Sequence, residues 1–168
     1  MRVELRWPLA DLATSATGPI SPISPVSSTP RALVLDTNIV LDLLVFRDPA
    51  TALLRQLLGG GALRWLATAA MRQELARVLN YPQIAPRVAF YGLTAASVLA
   101  AFDAQAHTVA TPARIPATCR DADDQLFIDL AAAHSAILLS KDKAVMALRK
   151  RLLAYGAQVA GALVAATA

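Results

Sequence analysis

Residues 31–44 read RALVLDTNIVLDLL. The stretch opens on a short apolar run, Ala32–Leu35, and the run ends on Asp36. Beyond that acid, Ile39, Val40, Leu43 and Leu44 recur at helical spacing. An apolar run without polar alternation is what a strand covered on both faces requires. A buried strand that turns into an amphipathic helix across one polar residue is the repeating unit of an α/β fold.

The same alternation continues along the chain. Asp48-Pro49 punctuates, and Ala52, Leu53, Gln56 and Leu57 predict a second helix stopped by Gly59-Gly60-Gly61. Arg64–Ala67 reads as a strand, and Thr68 caps a helix through Asn80 that Pro82 terminates. Thr94 to about His107 reads as a helix, and Thr111–Cys119 as a loop or edge segment. Then come a helix over Asp123–His134, a strand over Ile137–Ser140, a helix over Lys143–Tyr155 and a last strand over Val159–Val164. Alternating strands and helices predict a parallel sheet, and such sheets bind ligands outside the carboxyl ends of their strands.

Residues 1–30 differ from all of this. The run GPISPISPVSSTP alternates Pro with Ser and Thr, a composition that favours extended, solvated backbone over a packed core. We read residues 1–30 as a flexible arm and 31–168 as the folded domain. Arg2 and Arg6 balance Glu4 and Asp11 in the arm, so the formal charge of +4 belongs to residues 31–168. The full 168 residues suit one domain, and 56% hydrophobic with 17% charged residues excludes a disordered chain. Cys119 is the one cysteine, which excludes a disulfide framework and a cysteine zinc site. The apolar tail from Ala154 is broken by Gly156, Gln158 and Gly161 and falls short of the ~20 residues of a spanning helix. Glu4 and Asp11 interrupt any signal-peptide core. The expected location is the cytoplasm, without membrane contact.

The placement of the acids carries the functional reading. There are 12 Asp and Glu, and only Glu4 and Glu74 are glutamates. Asp36 and Asp142 each follow a predicted strand and project from the carboxyl edge of the sheet. Asp also favours helix N-caps and turns, so each alone has a purely structural use. Glu74 borders the apolar stripe Met71, Leu75, Val78 and Leu79, where a carboxylate is costly unless it is paired or metal-bound. Pairing with Arg72 or Arg77 on a wet rim is its alternative. Asp121, Asp123 and Asp124 open a helix, where the dipole favours acids. Asp124 shares a face with Phe127, Ile128 and Ala131; Asp123 lies almost as well through Phe127 and Leu130, and Asp121 suits a cap. Asp42 and Asp129 fall off the apolar stripes and read as solvated. Several acids at one sheet edge repel one another, and a hard cation resolves the conflict. Oxygen ligands without His or Cys point to Mg²⁺ or Mn²⁺ rather than zinc, and such a cage suits phosphodiester hydrolysis. His107 and His134 read as ordinary helix residues.

The four acid-bearing segments together resemble a family. Val34-Leu35-Asp36-Thr37-Asn38 is similar to the opening motif of PIN domains, and Met71–Leu79 to their acid-bearing helix. Asp121–Ala131 is similar to the third motif, and Ile137-Leu138-Leu139-Ser140-Lys141-Asp142 to the fourth. The Asp-x-Asp-Asp form of the third motif is most like the toxin components of toxin–antitoxin systems. The resemblance covers about residues 31–160. It implies a three-layer α/β/α sandwich around a central, mainly parallel sheet, and a metal-dependent ribonuclease restrained by a cognate antitoxin and forming a homodimer. It also implies that Asp36, Glu74, Asp124 and Asp142 form the catalytic and metal-binding set. Asp36 and Asp124 would hold the metal most directly, and Glu74 and Asp142 would act through water or orient the nucleophile. Asn38 and Thr37 would brace Asp36, and Ser140 would touch the cluster or the substrate. Asp121 is the third motif's other acid; the buried helical face favours Asp124 without closing the choice.

RNA would approach over a basic surround of Arg149-Lys150-Arg151, Lys141, Lys143, Arg31 and Arg120, unless these are simply a solvated face. Single-stranded or looped RNA is the expected target. Two rival readings stand beside this one. A catalytically silent scaffold that binds RNA or a protein has no need of four intact acids. A phosphotransfer enzyme of the haloacid dehalogenase kind wants an Asp where Asn38 stands.

Overall fold

The computed structural model describes residues 3–8 and 29–166. In chain order the elements are β1 (Glu4–Trp7), β2 (Arg31–Leu35), α1 (Thr37–Leu44), α2 (Ala52–Gly59), β3 (Leu63–Ala67) and α3 (Ala69–Leu79). There follow α4 (Ala85–Phe90), α5 (Ala95–Gln105), β4 (His107–Thr108), α6 (Gln125–His134), β5 (Ile137–Leu139), α7 (Lys143–Met146), α8 (Arg149–Leu152), β6 (Gln158–Ala160) and β7 (Ala162–Ala165). Short 3₁₀ turns at Pro49–Thr51, Ala122–Asp124 and Leu153–Tyr155 lead into or out of helices.

The central sheet has the order β4-β3-β2-β5-β6, and every pairing in it is parallel. In β2 the consecutive residues Leu33, Val34 and Leu35 are all buried. Successive side chains point to opposite faces, so both faces of the sheet are covered. Helices supply that cover, and the architecture is the α/β sandwich expected. Trp65 of β3 meets Phe102 of α5 edge-on at 5.0 Å between centroids, within the core.

Several elements differ from the sequence reading. The expected final strand is two strands, β6 and β7, separated at Gly161. The helix expected over Lys143–Tyr155 breaks into α7, α8 and a 3₁₀ turn that Gly156 ends at φ +75°. His107 is not helical but begins β4. The short helix α4 follows the Tyr81-Pro82 break and was not foreseen.

Glu4–Trp7, read as part of the arm, form β1 and pair in parallel with β7, Glu4 opposite Ala162 and Trp7 opposite Ala165. The local signal is a period of two: Glu4 and Arg6 are exposed, Leu5 is half-buried and Trp7 is buried. The Pro/Ser-rich remainder of the proposed arm, residues 9–28, lies outside the described residues.

Register places the chemistry. Leu35 of β2 pairs with Leu139 of β5, so the next residues, Asp36 and Ser140, emerge side by side at the carboxyl edge. The Asp36 N–H donates to Leu139 O at 3.0 Å and fixes that alignment. Arg31 opens the same strand. Five strand steps separate Arg31 from Asp36 by about 16 Å, so Arg31 stands at the opposite edge of the sheet. There it lines a cavity with Trp7, Ile137 and Gln158 and donates to Gln158 Oε1 at 3.2 Å. Closeness in sequence to Asp36 does not put this cation near the acids, which removes it from the expected basic surround.

Candidate metal centre

Asp36 caps α1, with Oδ1 accepting from the Asn38 N–H at 3.4 Å. Its Oδ2 accepts from Ser140 Oγ at 2.6 Å, and the residue is only 4% exposed. Ser140 Oγ also accepts from the Asp142 N–H at 3.1 Å. Ser140 thus ties the ends of β2 and β5 into one unit and holds Asp142, which caps α7 through Ala144 N at 2.7 Å.

The other side of Asp36 leads to Glu74. Thr37 Oγ1 donates to Glu74 Oε2 at 2.9 Å. Thr37 thus braces the glutamate through its side chain, and both Thr37 and Asn38 support Asp36 through their backbone N–H groups. The alternative pairings of Glu74 are not made. Arg72 forms a bidentate pair with Asp103 at 2.7 and 2.8 Å, and Arg77 acts on Glu74 only as a neighbouring charge.

The third segment brings up the remaining acids. Asp121 caps the turn Ala122–Asp124 through Asp123 N at 3.0 Å. The turn aims Asp124 inward, leaving it 9% exposed with a buried Oδ2 that has no hydrogen-bond partner. Asp123 is exposed and faces Glu74 as a charge. Carboxylate oxygens of Asp121, Asp124 and Asp142 lie within 4.8 Å of one another. Of the three candidate acids of the segment, Asp121 and Asp124 converge on Asp142 and Asp123 does not join them, while Asp36 and Glu74 stand beside this trio.

Sequence periodicity missed the device that holds the segment. Gln125 is buried: its Oε1 accepts from Cys119 N at 2.7 Å, and its Nε2 donates to Ala117 O at 3.1 Å and to Asp129 Oδ1 at 2.8 Å. Asp129, expected to be solvated, is buried and also accepts from Ile115 N at 3.1 Å. A loop of unpaired backbone groups needs such partners when it is covered. The i, i+4 relation of Gln125 and Asp129 was the available signal. Asp42, also read as solvated, pairs with Lys141, which removes that lysine from the free cations.

The electrostatics follow from this crowding. The Asp36 carboxyl is raised, first by burial, against the hydrogen bond from Ser140 and with a smaller push from Asp142. Glu74 is raised by burial, opposed by the Thr37 hydrogen bond, and pushed further by Asp36 and Asp123. Asp124 is pushed up to about 7, by burial first and then by the charges of Asp36, Asp142, Asp121 and Glu74. A carboxyl without a donor, among other carboxylates, is the arrangement a cation relieves. The donor set is oxygen only, which fits Mg²⁺ or Mn²⁺. Asp121, Asp124 and Asp142 have the spacing to share an ion, with Asp36 and Glu74 beside them. Cys119 does not compete for it, because burial pushes its thiol up and keeps it protonated.

A family model described as PIN domain matches residues 32–144, a span that takes in Asp36, Glu74, Asp121, Asp124 and Asp142. No curated protein is matched by the chain.

Proposed function

The chain belongs to the PIN-domain family, whose members are generally nucleases that use a divalent metal, and on that premise we propose that it is a Mg²⁺- or Mn²⁺-dependent endoribonuclease, the toxin of a toxin–antitoxin pair. The observation that carries the nuclease reading is Asp124: a buried carboxyl without a donor, facing other acids at the carboxyl edge of a parallel sheet. Asp121, Asp124 and Asp142 would hold the metal, with Asp36 completing the cage and Glu74 orienting water. When bound, such a metal polarises the phosphate and helps ionise a water. The residues of the chain hold the geometry: Ser140 locks Asp36 against Asp142, and Thr37 aims Glu74. Lys143, Lys150, Arg151 and Arg120 are exposed around the fourth motif and supply phosphate contacts.

The toxin assignment rests on the form of the third motif, and the antitoxin and homodimer rest on the same resemblance. Among the described residues no helix is long and apolar enough to cross a membrane. The test is cleavage of single-stranded RNA with Mn²⁺ or Mg²⁺ by wild type, Asp36→Asn and Asp124→Asn. We expect metal-dependent cutting by wild type and its loss in both variants. Variants that cut as fast as wild type would overturn the metal site, and RNA bound but never cut would favour the silent scaffold. A small reading frame beside the gene, co-purifying as a protein with this one, tests the toxin role.

A further inference from the structure

The helix that starts at Asp36 runs out to a group of exposed aromatic side chains, and the helix that carries Glu74 is followed by another exposed aromatic, Tyr81. Helix α1 starts at the Asp36 cap and ends at Leu44, and Phe46 follows it. At the rise of an α-helix, Phe46 lies about 15 Å from Asp36. On α3, Glu74 and Arg77 are three residues apart on one face, and Tyr81 continues that line just beyond the helix end. Tyr81 O then accepts from Ile84 N and Ala85 N and starts α4.

The group itself forms at the far end of α4. Tyr91 packs against Phe46 at 6.0 Å and edge-on against Phe90 at 5.3 Å. The Arg87 guanidinium sits over the Phe46 ring, 3.9 Å from its centroid. Phe90 is 83% exposed, Tyr91 47% and Tyr81 43%. A Phe this open gains little from the fold itself. The cations on these elements carry no acid. Among the described residues the ion pairs are Arg72–Asp103 and Lys141–Asp42, so Arg47, Arg77 and Arg87 have none.

Open aromatic faces interleaved with unpaired arginines fit a chain that alternates planar rings with negative charge. We propose that Tyr81, Phe90 and Tyr91 form a stacking platform for bases of single-stranded RNA, a few nucleotides from the bond that is cut, with Arg47, Arg77 and Arg87 meeting its phosphates. This rests on the reading that the acid cluster acts on RNA. It assigns the platform to the flanking part of the same strand, and the face of α3 gives its path: acid, cation, aromatic.

The experiment is fluorescence anisotropy of labelled single-stranded RNA with the full chain in a metal chelator, so that binding is read without cleavage. Phe90→Ala and Tyr91→Ala are expected to weaken binding about tenfold each, the scale of one lost base stack. Tyr91→Phe, which keeps the ring, is expected to bind as wild type does. A strand of the same length without bases is expected to bind wild type and Phe90→Ala equally. Phe90 is so exposed that its removal leaves the fold intact, which circular dichroism checks. Unchanged RNA affinity in both alanine variants overturns the proposal. So does a loss seen equally with the baseless strand, or a loss of self-association with RNA binding untouched, which would make the face a protein interface. Metal-dependent cutting with unchanged binding by Phe90→Ala sinks the platform alone. Ring-dependent binding without cutting sinks the nuclease reading alone.

Discussion

Asp124 sets the pH behaviour of the site. In the unfolded chain an Asp titrates near its ordinary value of about 4, whereas in the fold this group is pushed up to about 7. Between those values the native state holds a proton that the unfolded chain has released. Stability without metal therefore falls as pH rises from about 4 to about 7, and this contribution levels off above that. We expect the metal-free protein to melt lower at pH 8 than at pH 5, and Asp124→Asn to flatten the trend. A metal needs the ionised carboxylate, so Mn²⁺ should bind more tightly at pH 8 than at pH 6. Calorimetric titration at both values checks it, and equal affinities would remove Asp124 from the ligand set. Ser140 offers a second test at this scale. Ser140→Ala leaves Asp36 Oδ2 and the Asp142 N–H without their shared partner. The expected cost is about 1–3 kcal/mol in chemical denaturation, with Mn²⁺ affinity lower by about tenfold or more.

At the scale of elements, the junction of α6 and β5 with the turn before β6 depends on two residues. Ser135 ends α6 in the left-handed region at φ 49°, and its Oγ donates to Tyr155 O at 2.7 Å. Gly156 is left-handed as well, and a Cβ there would stand 3.0 Å from Ser135 Oγ. Gly156→Ala should thus cost about 1–2 kcal/mol from backbone strain alone, with the contact adding to it; a melt unchanged from wild type would show that the turn can relax. The same scale explains what a reader of the sequence can see. The strands β2 and β5 are legible because each is an unbroken apolar run leading to an acid, and Asp36 and Asp142 are legible with them. Arg31 is misread because distance along a strand is distance in space. Asp129 is misread because apolar periodicity does not register its partners, the backbone N–H of Ile115 in a loop and the side chain of Gln125 one turn back. β1 is misread for another reason: its period of two spans only four residues beside a Pro/Ser-rich run, and the partner that makes it a strand, β7, lies at the other end of the fold in sequence.

For the whole molecule, five acids are gathered at one sheet edge, while cations that form no ion pair among the described residues flank the fourth motif and lie on α3 and α4. An anionic polymer bound across such a surface displaces counterions from its phosphates. Its affinity should therefore fall linearly in log–log form with salt, by about 0.7 for each single-strand phosphate contacted. Replacing Lys143, Lys150 and Arg151 together by Gln should flatten that line measurably, read by anisotropy from 50 to about 300 mM salt. An unchanged slope would show that RNA does not cross α7 and α8.

The pairing of β1 with β7 also has a meaning in time. Glu4–Trp7 leave the ribosome long before Ala162–Ala165, the strand they pair with. At ordinary rates of synthesis the first strand waits on the order of ten seconds or more for its partner. Through that interval the Trp7 indole has no ribbon to lie in, while β2, β3, β4 and β5 can already pair with one another. Closure of the ribbon has to wait for β7, and the change in Trp7 emission is the signal that marks it.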